Sequence, residues 1–259
     1  MSQNIFDNEV FFCEYSKLRE GKNYNDLLEQ PAMAKLLPKI RGKVILDIGC
    51  GYGRNCLGFA QGGAKQVIGI DISEKMLQIA RAENAHPQVE YHHMDMAQLS
   101  QIHQNFDLVY SSLAFHYAEN FTKLIQDIYR LLKPGGHLLY SQEHPIVTAT
   151  MDCQGHHNVD EQGKFQSYTF SDYGHSGKRV GHWFVDGVLH YHRPMGEIVS
   201  TLAHTGFVLE DLVEPLPEPW ALKEKPDLNK EWIKPTFLII KTKKPEMAMQ
   251  IEKANERSE

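Results

Sequence analysis

The run Asp47-Ile-Gly-Cys-Gly-Tyr-Gly53 is the strongest chemical signal in the sequence. Gly49 and Gly51 let the backbone turn tightly and let a ligand approach it closely. Such a turn can also exist only to be a turn, so the acids around it decide. Asp71 stands 20 residues beyond Gly51, the spacing at which an acid on the next strand meets ribose hydroxyls. Asp95, just past a third strand, is placed to accept from the exocyclic amine of adenine.

Two ligands compete for this loop. A dinucleotide wants G-x-G-x-x-G, whose third glycine lets the helix pack closely. Arg54 occupies that place, and the spacing is G-x-G-x-G with Asp47 two residues before it. Asp47 would repel a pyrophosphate and suits a cationic amino-acid moiety.

Elements must hold these residues. Short apolar runs at 44–48, 67–70, 89–92, 106–110 and 137–140 predict buried strands. Helical patterns lie between them at about 54–62, 73–85 and 118–132. Ser73 reads as an N-cap with Glu74 in the first turn, and Pro134-Gly135-Gly136 ends the last of these helices. Strands alternating with helices predict an α/β, doubly wound, mostly parallel sheet. The rhythm breaks over 145–193. There Asp186-Gly187 predicts a hairpin turn between strands at 179–185 and 188–193. It resumes with a helix at 195–205 closed by Gly206, then strands at 207–213 and 236–241. The first forty residues read as a polar helical segment. The charged tail from Lys243 reads as frayed.

Five ordered runs resemble the class I S-adenosylmethionine-dependent methyltransferases, in the small-molecule group known as methyltransferase type 11. They are Val44-Ile-Leu-Asp-Ile-Gly-Cys-Gly-Tyr-Gly53, Gly69-Ile-Asp-Ile-Ser73, His93-Met-Asp-Met96, Phe106-Asp-Leu-Val-Tyr-Ser-Ser112 and Leu131-Leu-Lys-Pro-Gly-Gly136. The resemblance covers roughly residues 40–142. It implies a Rossmann-like sheet of seven strands with the last antiparallel, S-adenosyl-L-methionine as cofactor and S-adenosyl-L-homocysteine as product. It places Gly49 and Gly51 against the methionine part, near Asp47. Asp71 would take the ribose, Ile72 and Met76 would cover the adenine, and Asp95 and Met96 would read its amine. Ser111, at the end of the fourth strand, is grouped with these cofactor residues. Tyr15 and Arg19 lie one turn apart on a helix and share a face. Similar enzymes cover the cofactor with such a helix, and Arg19 would grip the methionine carboxylate. The plainer reading is an exposed Arg beside a half-buried Tyr.

Methyl transfer from a sulfonium is an in-line displacement, so the protein mainly aligns the partners and excludes water. A base is needed only where the nucleophile must lose a proton. The stretches after the fourth and fifth strands, Ser111-Ser-Leu-Ala-Phe-His-Tyr117 and Ser141-Gln-Glu-His-Pro145, hold the candidates. His116 and His144 are candidate bases, each weighed against a packing role. Tyr117, Glu143, Tyr191, Arg193 and Trp220 are candidate contacts for a small-molecule acceptor, with Arg193 meeting a carboxylate or phosphate and Trp220 closing the pocket. The 145–193 block is rich in aromatics and reads as a substrate cap carrying the hairpin. His190-x-His192 and the Cys153, His156, His157 cluster offer soft ligands, but no paired zinc spacing is present, so no metal is expected.

The organisation expected is a helical cover at 1–40, a cofactor-binding core at 41–144, the cap at 145–193, the remaining core at 194–242 and a flexible tail at 243–259. The 259 residues carry 27 Lys and Arg against 33 Asp and Glu, a net −6, which argues against a nucleic-acid partner. No apolar run approaches a membrane span and no signal peptide is recognisable. Four cysteines without a C-x-x-C read as free thiols in the cytoplasm. No residue pattern specifies an oligomeric state. The rival readings are a non-catalytic S-adenosylmethionine-binding regulator and, with the third glycine missing, an NAD(P)-dependent oxidoreductase.

Overall fold

A seven-stranded sheet in the order β10-β11-β5-β4-β1-β2-β3 forms the centre of the protein, whose computed structural model describes residues 2–246. Its strands are β1 (Val44–Ile48), β2 (Gln66–Asp71), β3 (Val89–His93), β4 (Phe106–Ser111), β5 (Leu132–Glu143), β10 (Val208–Val213) and β11 (Phe237–Lys243). β1 pairs in parallel with β2 and β4, and β4 with β5. β11 runs antiparallel to both β5 and β10. This is the expected doubly wound sheet with its last strand reversed. The strand order turns back between β1 and β4, which opens a crevice at their carboxyl ends.

The strands read as apolar runs because both faces are covered. On one face Leu46, Ile48, Val109, Leu138 and Tyr140 pack with Phe115, Ile125, Ile128, Ile198 and Leu202. On the other, Ile45, Val67, Leu108, Leu139 and Ile239 meet Met33, Cys56, Phe59 and Leu77. The covering helices are α3 (Arg54–Gln61), α4 (Glu74–Glu83), α5 (Phe121–Leu131) and α6 (Met195–Thr205), preceded by α1 (Glu9–Glu20) and α2 (Gln30–Leu36). The Ser73 hydroxyl accepts from the Met76 N–H, which makes it the N-cap of α4 as its type predicts. α5 starts later than expected, at Phe121, because the Asn120 side chain caps it by accepting from Lys123 N. α6 ends on Gly206 at φ +102.

The 145–193 block holds two separate two-stranded sheets, β6 (His156–Val159) with β7 (Phe165–Thr169), and β8 (Gly177–Trp183) with β9 (Val185–His192). The second hairpin does not turn at Asp186-Gly187. Its chain reverses at Phe184, φ +61, between the paired Trp183 and Val185. Gly187, at φ +82, instead forms a bulge, since Gly181 pairs with Val188 and His182 with Asp186. Positive φ at glycine serves a bulge as readily as a turn, so the dipeptide fixed the kind of backbone and not its place.

β11 runs through Lys243, and the Lys244 ammonium then donates to the carbonyls of Tyr129 and Leu132. The first residues of the segment expected as a flexible tail are therefore tied to the sheet, and 247–259 lie outside the described residues. Among the described residues no helix is long and apolar enough to cross a membrane.

Candidate active site

The glycine loop forms the floor of the crevice. Gly49, Gly51 and Gly53 take φ of +71, +52 and +76, and the N–H groups of Gly49 and Cys50 both donate to the Ile70 carbonyl. A Cβ on Gly49 would stand 2.6 Å from that of Ala114, whereas a Cβ on Gly51 would enter open space. Gly51 is therefore the place where the loop bares its backbone to a ligand. Asp71 fixes it there: one carboxylate oxygen accepts from Gly51 N and the other from Ser73 N, both at 2.8 Å. Burial pushes the Asp71 carboxyl above its ordinary range, and the backbone bonds only partly offset this.

Asp47 lies behind this floor and is not on the cavity wall. One of its oxygens accepts from the Cys56 thiol at 3.2 Å, and the other is buried without a partner. Burial first, then the negative Asp71 and Glu29, push its carboxyl up to about 7. An orphaned acidic oxygen beneath an open glycine backbone fits a cationic amino-acid moiety and opposes a pyrophosphate.

Above the floor is one cavity of about 650 Å³, a size that takes small organic ligands. Asp71, Ile72, Met76, Asp95 and Met96 line it together. Asp95 is engaged by the chain itself, accepting from the hydroxyl and the N–H of Ser2 and from Ala97 N. Tyr15 and Arg19 also line the cavity. The Arg19 guanidinium donates to Asn23 at 3.0 Å and approaches Asp26 at 3.5 Å. Tyr15 packs edge-on against Phe6, Trp183 and Tyr52 in an aromatic roof, and burial pushes its phenol up to about 12. The Gln3 amide joins that roof to the hairpin bulge, donating to the Gly187 carbonyl and accepting from Leu189 N.

His116, Tyr117 and Glu143 line another part of the cavity. His116 is 4% exposed, and its Nδ1 accepts from the Glu143 N–H at 3.3 Å. Burial drives its pKa down to about 4. Burial alone would raise the Glu143 carboxyl, but His190 and His116 hold it down to about 2. His190 meets Glu143 at 2.8 Å through Nδ1. Among the described residues these three form the one group of His, Cys or acidic side chains whose donor atoms converge within 4.8 Å. Residue types place His190 only on a strand face beside His192. They do not reveal Glu143 as its partner, 47 residues away. His192 has both nitrogens engaged, by the Thr148 hydroxyl and the Tyr173 carbonyl.

Besides Asp47, five expected site residues lie off the wall. Ser111 is buried and donates to the Ile48 carbonyl at 2.7 Å, stapling β4 to β1, while Ser112, Leu113 and Ala114 face the cavity in its place. His144 is no base for this cavity: Nδ1 accepts from Ile146 N and Nε2 bonds Glu214 at 2.8 Å, so both ring positions are structural. Arg193 turns inward to the carbonyls of Ala118, Glu119 and Tyr191 and over the Phe121 ring. Tyr191, on β9, is half-buried and does not line the cavity. Trp220, on α7 (Pro219–Glu224), is 48% exposed. We expect Trp220→Ala to leave kcat/KM unchanged and stability within about 0.5 kcal/mol, read by turnover and thermal melting. A tenfold rise in KM would return it to the pocket.

Sequence reasoning missed Glu29. It is fully buried, accepting from Ser112 at 2.9 Å, Ser141 at 2.5 Å and Gln30 at 2.8 Å. It ties the ends of β4 and β5 together beside the cavity. No local signal marks it, because its two serine partners are more than eighty residues away.

Comparisons with known proteins agree with this geometry. A family profile described as a methyltransferase domain matches residues 46–140. The crystal structure of an S-adenosylmethionine-dependent methyltransferase from Mesorhizobium loti superposes with a TM-score of 0.76 at 34% identity, over 83% of this chain and 97% of that one. A Haemophilus influenzae protein of unassigned function is 34% identical over 254 residues, 94% of this chain and 98% of its own. A ubiquinone biosynthesis O-methyltransferase of Alkalilimnicola ehrlichii is 31% identical over 150 residues, 54% of this chain and 60% of that one. The chain belongs to the class I S-adenosylmethionine-dependent methyltransferases of the type 11 group.

Proposed function

We propose that the enzyme methylates a small organic acceptor held in the roofed cavity, at the end lined by His116, Tyr117 and Glu143. The observation that carries this reading is the continuity of one cavity. The glycine floor, Asp71 and Asp95 line it together with the buried polar group of His116 and Glu143. The cofactor supplies an activated methyl on a sulfonium, so the chain's own task is alignment and the exclusion of water.

In this reading Gly51 offers open backbone to the methionine moiety and Asp47 supplies negative potential from behind it. Arg19 takes the carboxylate by exchanging its contact with Asp26. Asp71 reads the ribose, and Ile72, Met76 and Met96 enclose the adenine. Tyr117 shares the acceptor's end of the cavity with Glu143. The roof of Phe6, Tyr15 and Trp183 keeps that end dry and limits the acceptor to a small molecule. Four free cysteines, two of them buried, fit a reducing compartment and thus a cytoplasmic enzyme.

Two measurements test the reading together. Titration calorimetry should show S-adenosylmethionine binding and no NAD binding. S-adenosylhomocysteine release, followed over a panel of phenols, amines and thiols, should find an acceptor among small molecules. NAD binding without S-adenosylmethionine binding would sink the reading. Release seen only with protein or RNA substrates would remove the small-molecule assignment.

A further inference from the structure

Four aromatic rings and one carboxylate line the cavity together: Phe6, Tyr15, Tyr117, Trp183 and Glu143. The rings meet nearly at right angles. Phe6 stands 5.3 Å from Tyr15 and 5.9 Å from Tyr117, at 86° to each, and Tyr15 stands 5.9 Å from Trp183 at 84°. Rings set this way form the walls of a box, and their electron-rich faces attract a cation. Glu143 adds a full negative charge. Its Oε2 is held by Nδ1 of His190 at 2.8 Å, and among the described residues Oε1 has no hydrogen-bond partner. His190 itself does not line the cavity, so its bearing on that space runs through the carboxylate.

The lining side chains at this end are poor proton acceptors. Nδ1 of His116 accepts from the Glu143 N–H at 3.3 Å, which puts the proton of the neutral ring on Nε2 and leaves no free lone pair. Burial pushes the phenols of Tyr15 and Tyr117 up, so neither ionises near neutral pH. Burial would raise the Glu143 carboxyl too, but His190 and His116 hold it down to about 2, which makes it an ion and a weak base. The lysines on the cavity wall are paired with acids. Lys17 meets Glu14 and Lys22 meets Glu224, both at 2.6 Å, and Lys225 approaches Asp227 at 3.8 Å. Arg19 is held by Asn23, and Arg54 follows the glycine loop directly.

We propose that the acceptor is a small amine, seated with its nitrogen between the box of rings and the Glu143 carboxylate. The proposal rests on the methyl-transfer reading above and names the acceptor within it. A hydroxyl must lose a proton to attack well, and no lining side chain here is poised to take it. A thiolate or phenolate that arrived already ionised would meet the negative Glu143. An amine attacks as the neutral free base. Its lone pair forms the bond to the methyl carbon, the carbon–sulfur pair returns to sulfur, and the positive charge passes from sulfur to nitrogen. No proton moves in that step. A primary or secondary ammonium product loses its proton to solvent after release. The rings and Glu143 hold the charge where it arrives.

The test uses the full chain saturated with S-adenosylhomocysteine, so that the cofactor's place is filled. Benzyltrimethylammonium chloride should bind by calorimetry about tenfold or more tightly than neopentylbenzene, its uncharged isostere. Glu143→Gln should lower that preference about tenfold while binding S-adenosylhomocysteine as the parent does, which shows that it is folded. Trp183→Leu carries the same comparison if the first variant does not fold. Equal binding of the two probes by the parent overturns the proposal. So does an unchanged preference in a folded variant. In turnover with S-adenosylmethionine, amines should be methylated in preference to phenols and thiols of the same carbon skeleton. Methylation of phenols or thiols with no amine methylated overturns it as well. Absence of S-adenosylmethionine binding sinks the methyl-transfer reading itself, whereas binding without a preference for the cation sinks this assignment alone.

Discussion

Asp71→Ala is expected to lower the affinity for S-adenosylmethionine by about 100-fold or more, with the chain still folded. The side chain does two things at once. Its oxygens accept from Gly51 N and Ser73 N, which sets the open face of the loop and the start of α4. It also borders the cavity, at the place proposed above for the ribose. Hydrogen bonds to a charged group contribute about 1.5–3 kcal/mol each, so losing two of them and the ribose contact reaches the stated loss. Asp71→Asn should recover little, because an amide group would face one of the two N–H donors with its own N–H. Titration calorimetry measures the effect, and circular dichroism confirms the fold. Affinity within threefold of the parent would remove Asp71 from the site.

Arg193→Ala is expected to destabilise the fold by about 3–5 kcal/mol, and so to lower the melting temperature by about 6–15 °C for a chain of this length. The guanidinium donates to the carbonyls of Ala118, Glu119 and Tyr191, and lies 5.0 Å from the centre of the Phe121 ring. The Ala118 carbonyl, left buried without a donor, costs about 1–3 kcal/mol, and the two half-buried carbonyls and the lost ring contact add to this. Arg193→Lys should recover only part, since one ammonium cannot span carbonyls that a planar fork reaches. Burial pulls the Arg193 pKa down only to about 10, so the clamp stays charged at neutral pH. The variant bears directly on the expectation that Arg193 binds an acceptor carboxylate. In that case stability would hold and KM alone would rise. Thermal melting beside steady-state kinetics separates the two.

The features that were legible in the sequence are local ones. Each buried strand of the parallel sheet is a short apolar run because both faces are covered. The glycine loop shows itself because only glycine takes its three positive φ values cheaply, and Ser73 because a cap needs a short hydroxyl side chain. Asp71 and Asp95 come to share one cavity because they sit at strand ends whose positions those runs already set. What stayed hidden depends on which distant segments meet. His190 lies on β9 and Arg193 just past its end, three residues on, yet one meets Glu143 and the other clamps a loop. His144 sits beside Glu143 in a stretch expected to hold site residues. Alternation along β5 and the pull of Glu214 turn it to the other side of the structure. Asp186-Gly187 announced a positive φ but not whether a turn or a bulge would use it. Glu29 has no local signature, because its function arises only once the ends of β4 and β5 have come together.

The antiparallel β11 has a consequence for how the chain is made. It pairs with β5 from Phe237 against Glu143 to Lys243 against His137, across about a hundred intervening residues. On a ribosome, the sheet from β3 to β5 is complete about a hundred residues before β11 emerges. During that interval β5 is a bare edge, with Leu138, Leu139 and Tyr140 not yet fully covered, and unpaired apolar edges recruit strands from other chains. At typical synthesis speeds the exposure lasts roughly 5–20 seconds. Shielding of that edge while the chain is being made therefore bears on how much folded enzyme a cell obtains.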